Sequence, residues 1–349
     1  MDRRYELTRI STTRIVIGAG VEARLPALVG ELDSDGVVVL HDAALPELAA
    51  RIARALGTPA RLSIPGGEAT KRLTTVGDLA RSVRLAGASR STALVAVGGG
   101  TICDLVGMLA AVLLRGVPFV ACPTTTLAMC DAAIGGKNGV DHDGRKNELG
   151  TIRQPNLIAA DVEWLARLPD ELFREGLVEV VKKAAVLDAA RFARLEQLAP
   201  ALAARDAAAL SEAIEMAVAM KMAIVQEDES DHGRRRSLNF GHTIGHAIES
   251  SAEGKLRHGT CVALGMLLEC RAAGVAADVQ SRLAAVLAKL GLPKAVPPAL
   301  AHATSLWRMA RTDKKVARGN VPMCVPRALG ECVEVELTED ALAAALRDA

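Results

Sequence analysis

Two histidines four residues apart open the chemistry of this sequence. His242 and His246 stand in the run Asn239-Phe240-Gly241-His242-Thr243-Ile244-Gly245-His246-Ala247-Ile248-Glu249. On a helix this spacing puts both imidazoles on one face. His258 follows, beside Gly259. Upstream, Glu179 and Lys182 lie three apart on one face of an otherwise apolar helical run, Gly176 to Ala185. A carboxylate in such a place needs a partner. Glu179 with two of these histidines would make a three-ligand catalytic metal site with one open position. The spacing does not say which two. The residue after His242 is Thr243, so the metalloprotease pattern HExxH is absent. His41, His142, His232 and His302 have no partnered spacing.

Other segments are suited to anions. Gly98-Gly99-Gly100-Thr101-Ile102-Cys103-Asp104 follows an apolar strand and opens a helical pattern. Glycines admit an anion close to the backbone, and the new helix offers unpaired N–H groups. The run is not GxGxxG, so the ordinary dinucleotide fingerprint is missing. Pro65-Gly66-Gly67-Glu68, with Lys71 after it, is alone only a loop. Residues 115 to 147 hold Arg115, Thr124, Thr125, Asp131, Gly135-Gly136-Lys137-Asn138-Gly139, Asp141 and Arg145-Lys146-Asn147. A glycine-rich loop of this kind can enclose a phosphorylated polyol, with Lys and Arg on phosphate and Asp and Asn on hydroxyls. The bland alternative is a polar surface loop.

The elements that must carry these residues fall into two groups. Through about residue 160, strands alternate with amphipathic stretches. Strands are expected at Thr13 to Ile17, Gly36 to Leu40, Arg61 to Ile64, Thr92 to Val97 and Pro118 to Cys122, and helices at Leu45 to Ala55 and Val76 to Ala86. Such alternation implies a mostly parallel sheet covered on both faces. Beyond it, long Ala- and Leu-rich helical patterns dominate: 170–187, 189–204, 207–227, 241–251 and 260–273. Strand signals almost vanish until Val321 to Leu337. The expected fold is an α/β domain, residues 1–160, which carries the candidate nucleotide-binding turn, followed by a mainly α-helical domain, residues 161–349, which carries the candidate metal ligands.

Composition narrows the function. A chain of 349 residues, 50% apolar, can bury more than one core. Net charge is +1, so no one-signed field grips nucleic acid or an anionic membrane. Seven scattered cysteines without a CxxC pair argue against a disulfide framework or structural zinc, and point to a reducing cytoplasm. The amino terminus lacks a signal core, and the longest apolar stretch is broken by Arg115 and Pro118.

Taken together, GGGTICD, RGVPF, CPTTTLAMCDAAIGGKNGVD, GRKNELG, GLVEVVKKA, DESDHGRRRSLNFGHTIGHAIE and RHGTCVALGM resemble successive blocks of dehydroquinate synthase and related sugar-phosphate cyclases. The likeness runs from about residue 65 to 315. It implies a dehydroquinate synthase-like fold, NAD as cofactor, a divalent metal (usually zinc, with cobalt an alternative) and a homodimer. By matching position, Glu179, His242 and His258 would be the metal ligands. Asp42, Glu68, Lys71, Gly99, Gly100, Thr101, Asp104, Thr124 and Thr125 would contact NAD. Asp131, Lys137, Lys146, Asn147 and Lys182 would hold substrate hydroxyls and phosphate, and Asn239, His246 and a lysine of Lys314-Lys315 the phosphate end. Arg115 would reach the neighbouring subunit's site. Lys221 and Arg235 match a pair that binds a substrate carboxylate.

The resemblance therefore implies conversion of 3-deoxy-D-arabino-heptulosonate 7-phosphate to 3-dehydroquinate and phosphate. The steps would be transient oxidation by NAD, phosphate elimination, re-reduction and aldol closure, as in the shikimate pathway of aromatic amino acid biosynthesis. An aminodehydroquinate synthase or another specialised-metabolism cyclase, of the sedoheptulose 7-phosphate type, is the nearest alternative. A metal-dependent NAD polyol dehydrogenase is the alternative of another class; it leaves Lys137, Lys146-Asn147 and Arg235 unexplained. Asn138 and Thr260 depart from the usual residues beside the site, as do Val178, Cys130 and Lys183, the last in place of a frequent Tyr.

Overall fold

The computed structural model describes residues 11–228, 233–313 and 320–347. They form two compact units. The first takes residues 11–16, Gly20–Pro123 and Gly136–Asp161; the second takes Ile17–Ala19, Thr124–Gly135 and 162–347.

The first unit is built on strands β1 (Arg14–Gly18), β2 (Gly36–Asp42), β3 (Arg61–Ile64), β4 (Thr92–Gly98) and β5 (Phe119–Pro123), a hairpin of β6 (Lys137–His142) and β7 (Arg145–Ile152), and β8 (Leu157–Asp161). Helices α1 (Val21–Gly30), α2 (Pro46–Ala55), α3 (Leu73–Leu85) and α4 (Gly100–Val112) lie between strands. Six strands form a sheet in the order β1-β8-β5-β4-β2-β3. The pairs β2–β3, β2–β4, β4–β5 and β5–β8 are parallel. β4, β5 and β8 are buried along their whole length. Their unbroken apolar runs, without alternation, are what a strand covered on both faces requires. α2 starts with Pro46 in its first turn and buries Leu48, Ala49, Ile52 and Ala53, a stripe of helical period.

The strand order creates a switch point. From β2 the chain steps outward to β3, then returns on the other side of β2 as β4 and continues away to β5. Ligands of doubly wound sheets bind beyond the carboxyl ends of the strands at such a reversal. Asp42 and Gly98 end β2 and β4 there, since His41 registers with Val97.

Residues 137–152 correct the expectation of a loop: they form the antiparallel pair β6–β7. Asp143-Gly144 joins the strands, and both residues have positive φ, 46° and 75°. A two-residue turn with both φ positive matches the strand twist and favours Asp-Gly. The ribbon hid in the sequence because β7 is polar and mostly exposed, with no apolar alternation to announce it.

The second unit contains α5 (Asp170–Leu187), α6 (Ala189–Ala203), α7 (Ala207–Glu227), α8 (His242–Ala252), α9 (His258–Ala272), α10 (Ala277–Lys289), α11 (Ala303–Asp313), a hairpin of β9 (Val321–Ala328) and β10 (Glu331–Leu337), and α12 (Glu339–Arg347). Asp188 and Asp206 cap α6 and α7 by accepting the Arg191 and Ala209 amides. α5 is the central helix: it is buried at every position from Glu175 to Val186. Gly176 lets it in, because a Cβ there would collide with the backbone at Thr126 and Leu127. α8 and α9 cross closely for the same kind of reason. A Cβ on Gly265 would collide with the Gly241 carbonyl and come within 2.7 Å of the Gly245 nitrogen. Among the described residues, no helix is long and apolar enough to cross a membrane.

Candidate active site

In the first unit, polar residues gather at the carboxyl ends of the central strands. α4 begins at Gly99 with no side-chain cap on its first amides, so its amino end faces the switch point ready for an anion. Asp42 accepts the Ala44 amide at 2.9 Å. The Pro65–Glu68 loop meets it at Gly66, where a Cβ would lie 2.8 Å from Asp42 Oδ2. Lys71, buried, pairs with Asp104 at 2.6 Å and donates to Asn147 Oδ1. Asn147 stands at φ 54° on β7 and its amide donates to Asp141 at 2.8 Å. Lys71 and Asp104, expected on the cofactor, therefore share a network with Asn147, expected on the substrate. Glu68, Arg115, Lys137 and Lys146 are exposed, Arg115 at φ 68° beside exposed Leu114 and Val112. Asn138 turns inward and donates to the carbonyls of Gly136 and Arg153, at 2.8 and 3.0 Å.

In the second unit, Thr124 is buried, and Thr125 Oγ1 accepts the Ala128 amide at 3.2 Å. Residues 128–132 make a single π-helical turn carrying Asp131, a geometry concentrated at functional sites. Lys183 Nζ is 2.7 Å and Lys221 Nζ 3.0 Å from Asp131 Oδ1. They also donate to the Cys130 and Asp131 carbonyls, at 3.1 and 2.7 Å. Burial would raise the Asp131 carboxyl, but Lys183, Lys221 and Lys182 hold it well below the usual range. Burial lowers Lys221 to about 8, against the pull of Asp131 and with help from Lys183 and Arg235. Arg235, also buried, comes beside Lys221 at Gly135: a Cβ there would be 3.1 Å from Arg235 Nη2 and 3.5 Å from Lys221 Cε. Asn239 is exposed at the end of the turn Arg234–Asn239. Lys314 and Lys315 lie outside the described residues.

The histidines converge at the crossing of α8 and α9. The ring centres of His242, His246 and His258 are 5.1, 5.4 and 5.8 Å apart. Glu269, fully buried on α9, accepts the Gly241 and Ile244 amides at 2.7 and 2.9 Å and so caps α8 from across the crossing. Glu175 accepts the Gly259 amide at 3.2 Å at the start of α9. Donor atoms of Glu179, His242 and His258 lie within 4.8 Å of one another. Burial, then the charges of Lys182 and the other histidines, keep His242 well below the ordinary histidine range, hence neutral and able to ligate. Lys182 Nζ is 2.6 Å from Glu179 Oε2, yet no donor is aligned on that buried oxygen. The other oxygen, Oε1, lies 3.8 Å from His242 Nε2, and a buried carboxylate grouped with two imidazoles in this way fits a divalent ion.

Both halves of the chain match described families: "3-dehydroquinate synthase N-terminal" over residues 61–175 and "3-dehydroquinate synthase C-terminal" over 176–316. The chain belongs to the 3-dehydroquinate synthase family. The 3-dehydroquinate synthase of Pelobacter propionicus is 39% identical over 319 residues, covering 88% of each chain. Among solved structures, 2-epi-5-epi-valiolone synthase from Streptomyces hygroscopicus subsp. jinggangensis, with NAD+ and Zn2+ bound, has a TM-score of 0.88 at 29% identity, covering 99% of each chain. A 2-deoxy-scyllo-inosose synthase complexed with carbaglucose-6-phosphate, NAD+ and Co2+ has a TM-score of 0.86 at 25% identity, covering 97% of this chain and 96% of that one.

The two 3-dehydroquinate synthase halves join between Glu175 and Gly176, inside α5. The sequence blocks point to the ligand-type residues on this helix and on α8. They did not single out Glu175, Glu249 or Glu269, and Lys183 stood only as a departure. Their signal is weak in sequence: a charged residue on a helix reads as solvated until the packing shows its partner.

Proposed function

We propose that this protein is a 3-dehydroquinate synthase, acting on 3-deoxy-D-arabino-heptulosonate 7-phosphate as a homodimer in the cytoplasm, within the shikimate pathway. The observation that carries the choice is the buried cluster in the second unit. Lys183 touches Asp131 and lies 3.6 Å from the metal-type ligand Glu179, Lys221 also meets Asp131, and Arg235 comes beside Lys221 at Gly135. Four buried cations (Lys182, Lys183, Lys221 and Arg235) surround two carboxylates, Asp131 and Glu179, and the excess suits a substrate carboxylate. A polyol dehydrogenase has no use for that excess.

We assign NAD to the segment 1–160 and the metal and most substrate contacts to 161–349. Glu179, His242 and His258 hold the divalent ion, zinc or cobalt. Asp42, Glu68, Lys71, Gly99, Gly100, Thr101, Asp104, Thr124 and Thr125 serve the dinucleotide. When bound, NAD takes and returns a hydride and the ion polarises the alcohol oxygen. Lys182 and Asp131 orient substrate hydroxyls; Lys137, Lys146, Asn147, Asn239 and His246 neutralise and hold the phosphate through its departure, with Arg115 given to the partner subunit. Lys221 and Arg235 take the carboxylate by charge-assisted hydrogen bonds.

Purified protein with NAD and zinc should release one inorganic phosphate per heptulosonate phosphate consumed, with no net NADH. Net NADH from glycerol, or no phosphate from a panel of heptulose phosphates, would overturn the reading.

A further inference from the structure

Among the described residues, two groups of three could hold a cation, and they share a member. Glu179, His242 and His258 form one; His246, Glu249 and His258 form the other, each with donor atoms within 4.8 Å. The hydrogen bonds decide between them. Glu249 Oε2 is 2.9 Å from His258 Nδ1. A carboxylate only accepts, so Nδ1 carries the hydrogen and the lone pair is on Nε2. His242 is fixed in the same sense, its Nδ1 facing the Phe240 carbonyl at 3.2 Å. Its Nε2 lies 3.8 Å from Glu179 Oε1. Both rings thus present Nε2 as the ligating nitrogen.

We propose that Glu249 is the positioning residue of the metal centre: it does not ligate, but fixes the ring orientation and tautomer of His258, and so directs the ion to Glu179, His242 and His258. The pair bridges α8 and the first residue of α9, partly shielded from solvent, with side chains 29% and 21% exposed. A carboxylate behind a ligating histidine raises its basicity as well as aiming it, and losing such a partner costs about 10- to 100-fold in metal affinity. The assignment rests on the reading that the chain holds a divalent ion.

The test is zinc affinity near neutral pH by competition with a chromogenic chelator, which needs no turnover. Glu249→Ala should weaken zinc by about 10- to 100-fold. Glu249→Gln, which keeps an accepting oxygen but not the charge, should fall between it and the wild type. Should the Ala variant not fold by circular dichroism, the Gln variant still reports a graded loss. His246→Ala should bind zinc as the wild type does, and Glu179→Ala should lose the tight site. Wild-type affinity in both Glu249 variants would overturn the proposal. So would loss of zinc in His246→Ala with retention in Glu179→Ala, which would put the ion on the other group with Glu249 as a ligand. A wild-type chain that binds no zinc or cobalt would instead refute the metal reading itself.

Discussion

The Lys183 ammonium, itself sealed from solvent, meets the Asp131 carboxylate, a side chain 29% exposed, at 2.7 Å. Burial would strip the lysine of its proton, but Asp131 and Glu179 raise it above the ordinary lysine value. The same Asp131 oxygen receives Lys221. One carboxylate between two ammoniums leaves net positive charge, and Lys183 is what prevents Asp131 and Lys221 from neutralising each other.

Lys183→Met should destabilise the fold by about 1–3 kcal/mol, the loss of a charge-assisted hydrogen bond, while Asp131 keeps Lys221 as its partner. Lys183→Met with Asp131→Asn should cost less than the sum of the two single changes, because each removes the same contact. Chemical denaturation of the two single variants and the double variant gives the coupling; strict additivity would show that the pair is not energetically joined.

Lys221, with Asp131, Lys183 and Arg235 facing it, titrates at about 8. In the proposed role on a substrate carboxylate Lys221 would act as the ammonium, so kcat/KM should fall as pH rises through about 8. Lys221→Arg keeps its charge at all accessible pH and should move that limb upward. A basic limb unchanged in the Arg variant would assign it to another group. The sign for stability is opposite. Between about 8 and the ordinary lysine value of 10.5 the unfolded chain holds a proton that the folded chain has released, so the unliganded fold should gain stability across that window.

Arg235→Ala should raise KM for the carboxylated heptulosonate phosphate by about 10- to 100-fold, the worth of a charged hydrogen bond. Sedoheptulose 7-phosphate has no carboxylate to lose. An equal effect on both substrates would remove Arg235 from the carboxylate end.

Gly265→Ala should force α8 and α9 apart, because its Cβ would collide with backbone atoms of Gly241 and Gly245. A loss of about 3 kcal/mol is expected from overpacking against backbone. Zinc affinity should fall with it, since the crossing sets the histidine spacing. A variant as stable as the wild type with unaltered zinc binding would show that the crossing has room to spare.

Much of the architecture was legible in residue order. The apolar run at 92–97, the glycines at 98–100 and the long helical periods at 170–187 and 207–227 specify local structure directly, because their signals are short-range. The exposed hairpin at 137–152 escaped because its polar strand shows no alternation, although Asp143-Gly144 marked its turn. Helices α1 and α10 to α12 were not singled out either.

By itself, the sequence determined which residue types were available: two histidines at helical spacing with a third beyond, a glutamate and lysine three apart, and glycines after an apolar strand. Tertiary structure alone decided which of them meet. Glu175, Glu249, Glu269 and Lys183 gain their partners from other elements of the fold, and helical period says which face a side chain occupies but not what is packed against that face. That second fact comes from close contact at glycines such as Gly176 and Gly265, where the absence of a single carbon lets two backbones touch.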